Sequence, residues 1–183
     1  DGEPEIILNG FDNNSIRHNI VNGLAWGPDG WLYGRHGITT TSFVGTPDTP
    51  ASKRIPINCG VWRYHPTKKI FEVVCRGGTN SWGLDWDANG NAFFINTVIG
   101  HGWQGIHGAH FKRMHGEDPY PFIYELIDQQ ADHYHWDTGK KWNDVDGGRG
   151  GADQLLLQQQ QQWLAQPVNI RQLNVPYDST ACA

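Results

Sequence analysis

Gly23-Leu24-Ala25-Trp26-Gly27-Pro28-Asp29-Gly30-Trp31-Leu32-Tyr33 returns sixty positions on as Gly83-Leu84-Asp85-Trp86-Asp87-Ala88-Asn89-Gly90-Asn91-Ala92-Phe93. Each copy is an apolar run, a turn and a second apolar run. Leu-x-Trp alternates as a half-buried strand does, and Pro28-Asp29-Gly30 or Ala88-Asn89-Gly90 supplies the turn. Two β-hairpins follow from this pattern, and a repeat at fixed spacing is the signature of a propeller or an array.

Working outward, Gly60-Val61-Trp62-Arg63-Tyr64 alternates, breaks at His65-Pro66-Thr67-Lys68-Lys69 and resumes at Ile70-Phe71-Glu72-Val73-Val74, which reads as another hairpin. Joined to the Gly83 hairpin it is expected to form a four-stranded antiparallel blade. Glu5-Ile6-Ile7-Leu8 reads as an outer strand before the Gly23 copy, and Phe122-Ile123-Tyr124-Glu125-Leu126-Ile127 as the start of a third unit. The expected fold class is all-β: a partial β-propeller of about three four-stranded blades, at roughly 40–50 residues each. The domain boundary is expected at 153/154. Residues 1–153 form the propeller domain, and residues 154–183 a compositionally foreign tail, helical or irregular, built around a run of five glutamines.

The 183 residues suffice for one domain with a core, and nine Trp, 23 Gly and 10 Pro suit short strands and tight turns. No apolar run approaches the ~20 residues of a membrane-spanning helix. A net charge of −5 opposes nucleic-acid binding, which requires a basic face. The start at Asp1 reads as mature or truncated rather than as a signal peptide. Cys59 and Cys75 bracket the Gly60 hairpin, so a disulfide and two buried thiols are both open readings, with Cys182 left over. No Cys-x-x-Cys-His is present, so this chain has no covalent haem site of that kind.

His18, the Gly23–Tyr33 stretch, Val61-Trp62-Arg63-Tyr64 and Gly78-Thr79-Asn80-Ser81-Trp82-Gly83-Leu84-Asp85-Trp86 together resemble the middle of the glucose/sorbosone dehydrogenase-like six-bladed propellers. The likeness covers about residues 5 to 105. It implies an extracellular or periplasmic sugar or alcohol dehydrogenase using pyrroloquinoline quinone and calcium. By this likeness His18 is the candidate general base, and Thr79 and Asn80 lie at the quinone, although the arginine of the family's Arg-Asn-Pro stretch is absent. Arg35 and His36 end the Tyr33 strand and are candidates to face the channel beside the cofactor; an ordinary exposed strand end is the other reading. The chemistry requires such groups. A base near neutrality takes the hydroxyl proton as hydride leaves, and the quinone carboxylates require cations.

Asp85-Trp86-Asp87-Ala88-Asn89-Gly90 opens like a calcium loop, but Asn96 stands where the closing glutamate belongs, so a plain turn is the simpler reading. Seven of the nine histidines fall between His65 and His135. His101, His110, His133 and His135 are candidate ligands for a transition metal. The stretch from Ile99 to Pro121 reads as one long glycine-rich loop presenting Trp103 and His107 to a sugar, with Lys112, Arg113, Glu117 and Asp118 as a solvated rim. A calcium-dependent lactonase using Asn22, Asn80, Asp85 and Asn96, and a non-catalytic carbohydrate- or protein-binding module, are the alternative functions. Small-molecule carbohydrate or lactone is the expected partner. Half a ring leaves open sheet edges, so a homodimer, a larger homo-oligomer or the missing remainder of the propeller is expected to cover them.

Overall fold

The computed structural model describes residues 2–16, 18–96 and 102–130, together with the strand pair Tyr134–His135 and Lys140–Lys141. The described residues form an all-β structure whose one helical turn is 3-10, at Ala51–Lys53. None of its helices is long and apolar enough to cross a membrane. The chain divides into a unit of residues 1–131 and a unit of residues 132–183. In the second, β11 (Tyr134–His135) pairs antiparallel with β12 (Lys140–Lys141). The boundary expected at 153/154 and the glutamine-rich tail lie outside the described residues.

The first unit is built on β1 (Asn22–Trp26), β2 (Leu32–His36), β5 (Gly60–His65), β6 (Ile70–Gly78) and β10 (His110–Arg113), in that spatial order. The first four pair antiparallel in succession, and β10 adds to β6 in parallel. A second sheet holds β7 (Ser81–Trp86), β8 (Ala92–Asn96) and β9 (Gly102–Gln104). A small hairpin, β3 (Ser42–Val44) with β4 (Ile55–Ile57), rises from the connection between β2 and β5.

The two copies of the repeat fold alike down to single hydrogen bonds. Gly27 N–H donates to Trp31 O and Gly30 N–H to Gly27 O, at 2.9 and 3.0 Å; sixty positions on, Asp87 N–H donates to Asn91 O and Gly90 N–H to Asp87 O, both at 3.0 Å. Gly30 and Gly90 sit at φ 78° and 81°, the left-handed region that glycine enters without a Cβ penalty. Both hairpins also carry an irregularity early in the first strand, between Asn22 and Ala25 and between Ser81 and Leu84.

The grouping of hairpins differs from the sequence expectation. The Gly60 hairpin joins the Gly23 hairpin through β2 and β5, not the Gly83 hairpin. Alternation defines a hairpin but carries no information about which neighbour its free edge meets. Glu5–Leu8 is not a strand; Asn9 alone bridges to Gly45. The strand expected to start a third unit is not formed either: residues 121–126 are irregular, with Phe122 and Tyr124 at 76% and 102% exposure, and only Ile127 bridges, to Phe111. Pro119 and Pro121 remove ladder donors just upstream, which disfavours a strand there.

The central strands of the five-stranded sheet, β2, β5 and β6, are buried on both faces. Tyr33, Val61 and Cys75 point to one side and meet Phe94, Trp103 and Phe111. Trp62, Tyr64 and Phe71 point to the other and meet Val44 and Ile57 of the small hairpin. Cys59 and Cys75 are buried free thiols, and desolvation pushes both up to about 12.

Trp62 lies directly opposite Gly34 in the β2–β5 register, and a Cβ at residue 34 would run into its indole ring. Trp62 is 2% exposed and tilted against Phe11 and Phe71, so the ring has little room to yield. Gly34→Ala is therefore expected to destabilise the fold by about 1–3 kcal/mol, the usual cost of overpacking a core. Chemical denaturation with an unchanged m-value checks it; an unshifted midpoint would show that the indole is not held there.

Candidate functional site

A cluster of buried polar side chains gathers where β1 lies against β7. Asn22, the first residue of β1, donates through Nδ2 to Asn19 Oδ1 at 2.7 Å and to Ser81 O at 2.9 Å, and approaches Asn80 Oδ1 at 3.5 Å. Ser81 Oγ donates to Asn96 Oδ1 at 2.8 Å. Asn19, Asn22, Thr79, Ser81 and Asn96 are all buried. Such a network is expected to hold only because its members satisfy one another in a medium where an unmade hydrogen bond is costly.

Arg35 is the exception. It is 5% exposed, and its Nη2 donates to the Trp82 carbonyl, while Nε and Nη1 are buried with no hydrogen-bond partner among the described residues. Desolvation lowers its pKa to about 10, a large fall for a guanidinium. The space it occupies depends on Gly23, where an added Cβ would come within 2.5 Å of Nη2. The repeat shows what the backbone alone would accept. At the position equivalent to Arg35 stands Ile95, whose side chain packs over Gly83 as Arg35 packs over Gly23. The charge is thus not a requirement of the hairpin.

The other expected site residues separate into groups. Thr79 and Asn80 do lie at this cluster, Thr79 being 3% exposed and accepting the Cys59 thiol at its carbonyl at 3.2 Å. His36 is fully buried, and both ring nitrogens are engaged, Nδ1 at 2.7 Å from Gly37 O and Nε2 at 2.8 Å from Ser42 Oγ, so it holds the small hairpin rather than facing a ligand. His18 is exposed, and its imidazole makes no hydrogen bond to Arg35 or Asn22.

Trp103, expected to present its face to a sugar, is 4% exposed and stacks on Phe94 at 5.4 Å and 10°. The stretch read as one loop contains β9 and β10, and these strands carry Trp103 and Phe111 into the core. His107 remains exposed and His110 lies beside Asp118. His101 and His133 fall outside the described residues, as does the side chain of His135; among the described residues no cluster of three His, Cys, Asp or Glu side chains is placed to hold a metal. The half-motif from Asp85 is an ordinary turn: Asp87 Oδ1 accepts the N–H groups of Asn89 and Asn91 at 2.9 and 2.8 Å.

Two sets of residues carried no signal in the sequence. The setting of Arg35 depends on β7, whose Trp82 carbonyl approaches from 47 positions further along the chain. Asp118, expected on a solvated rim, has a side chain 2% exposed between Arg76 and His110, both at 3.4 Å. Arg113 likewise is no rim residue, since it clamps the Asn58 carbonyl and side-chain amide.

One protein-family model, described as a domain of unknown function (DUF7133), matches residues 2–140. The chain belongs to this family. No curated protein and no solved structure matches it. The DUF7133 match takes in both hairpins of the repeat and the whole Arg35 cluster, and stops before the run of glutamines.

His36 gives the DUF7133 domain an acid-sensitive support. Desolvation holds its pKa below the ordinary value, so on acidification the unfolded chain takes up the proton before the native one. Its contribution is therefore intact above the unfolded imidazole pKa of about 6.5 and is lost as pH falls from there towards the native value. Denaturation midpoints are expected to fall between pH 7 and pH 5, by at most about 1.4 kcal/mol per unit. His36→Gln should flatten that slope while lowering stability at neutral pH.

Proposed function

We propose that this chain contributes blades to an extracytoplasmic, quinone-dependent sugar or alcohol dehydrogenase-like propeller, with Arg35 anchoring an anionic group of the cofactor. The observation that carries this reading is the buried guanidinium with two unpartnered nitrogens, in a place that the repeat fills with Ile95. Leaving such donors unpaired costs stability, and a carboxylate is the group that a guanidinium satisfies best. Propeller architecture is supported by four successive antiparallel strands, β1-β2-β5-β6, and by the first strands of the two equivalent hairpins lying side by side. The remaining blades would come from further sequence or from a second copy of the chain.

Pyrroloquinoline quinone carries carboxylates that fit the Arg35 donors, and when bound it supplies a hydride acceptor. Asn80, at the edge of the cluster, would orient it, and exposed His18, four residues before β1, would take the proton of the substrate hydroxyl. Calcium fits less well. The amide oxygens of Asn19, Asn80 and Asn96 already accept hydrogen bonds from Asn22 and Ser81, so no step is assigned to the ion. The lactonase alternative draws on the same amides, but Asp85, its one carboxylate, is exposed and accepts the N–H of Trp86.

Arg35→Leu separates a binding role from a structural one. Replacing a buried, incompletely paired charge by an apolar side chain is often neutral or stabilising. The variant is expected to unfold at the same or a higher denaturant concentration, yet to bind the quinone about 10–100-fold more weakly, the worth of a hydrogen bond to a charged group. Fluorescence titration with the quinone, followed by dye reduction on aldoses, checks both arms. Unchanged quinone affinity would remove Arg35 from the site, and chelator-sensitive lactone hydrolysis would favour the alternative.

A further inference from the structure

At the opposite edge of the five-stranded sheet from β1, β6 and β10 border a cavity of about 480 Å³. Glu72 and Arg76 of β6, His107, His110 and the aromatic pair Tyr120 and Phe122 line it. This volume lies within the usual range for small-molecule sites. We propose that it is a binding site for a neutral pyranose, separate from the Arg35 cluster.

The cations around the cavity are paired locally. Glu72 Oε2 accepts Arg63 Nε and Nη2 at 2.9 and 2.8 Å, and Arg76 faces buried Asp118 at 3.4 Å. Arg63 also meets Asp29 at 3.3 Å, so two cations face three carboxylates and neither cation is left over for an anionic ligand. Hydrogen-bonding capacity survives the pairing. Glu72 Oε1 has no hydrogen-bond partner among the described residues, and neither has buried His110 Nδ1, whose approach to Asp118 lacks hydrogen-bond geometry.

The aromatic groups supply the other half of sugar recognition. Tyr120 stacks on His110 at 5.7 Å and 27°, under the Arg76 guanidinium at 4.9 Å, and takes Phe122 edge-on at 5.5 Å. Asp118 Oδ1 accepts the Tyr120 N–H at 2.8 Å, which fixes the base of this platform. Phe122 nevertheless stays 76% exposed. A pyranose has C–H faces to cover such rings and hydroxyls at its rim to meet Glu72, His107 and His110. A rigid aromatic beside spare acceptors and imidazoles suits that amphipathic ring better than a purely apolar molecule.

Titration of the full chain with methyl β-D-glucopyranoside, followed by ¹H–¹³C NMR of the histidine and tyrosine rings, tests the proposal. Saturable shifts at His107, His110 and Tyr120 are expected, with gluconate binding at least about tenfold more weakly because an added charge finds no counter-ion. Tyr120→Ala should weaken the pyranoside about tenfold, Tyr120→Phe should change it little, and Arg35→Leu should leave it unaltered. Absence of shifts in the wild type, equal affinity for gluconate, or full retention of binding in Tyr120→Ala would each overturn it. Amide-spectrum dispersion of Tyr120→Ala distinguishes a lost platform from a lost fold.

Discussion

The pairing of β2 with β5, from Leu32 opposite Tyr64 to His36 opposite Gly60, is the contact on which the rest of the first unit depends. It turns two hairpins into one sheet and fixes which side chains face which core. Because side chains alternate strictly along a strand, a slip of one residue would send Val61 and Trp62 to each other's side. Gly34 guards that register, since it is the one position in β2 over which the Trp62 indole can lie. With both faces covered, the sheet can hold Arg35 and Arg76 in places that water barely reaches.

Burial on both faces also explains why the polar groups divide as they do. Where the network closes on itself, as at Asn22, Ser81 and Asn96, it is a structural joint between β1 and β7. Where it fails to close, at Arg35, the protein holds a desolvated cation in a place that its own repeat fills with the apolar Ile95. That contrast within one chain is a stronger indication of a ligand than burial alone, because the second hairpin serves as an internal control.

The hairpins and their turns were legible because periodicity, Trp and Gly all pointed the same way over a few residues. The β10 strand was not, since His110–Arg113 joins β6 in parallel, a pairing set by a distant edge rather than by a turn. The glycines around Trp103 and Phe111 read as a loop for the same reason; short strands between glycines carry too few residues to show a period. Thr79 and Asn80, singled out by the family resemblance, and Arg35, singled out at a strand end, lie near one another around Asn22 and Trp82. The burial of Trp103, the engagement of both His36 nitrogens and the concealment of Asp118 arise only once separate strands pack together.

The two thiols of Cys59 and Cys75 have a practical consequence. With no accessible thiolate, neither can react with an alkylating reagent while the sheet is closed. Any labelling must wait for the strands on either side to part, so its rate counts openings of the core. The chain thus contains its own clock for breathing of the central sheet, read as the mass that the reagent adds at Cys59 and Cys75, and one that a ligand held at either edge would slow.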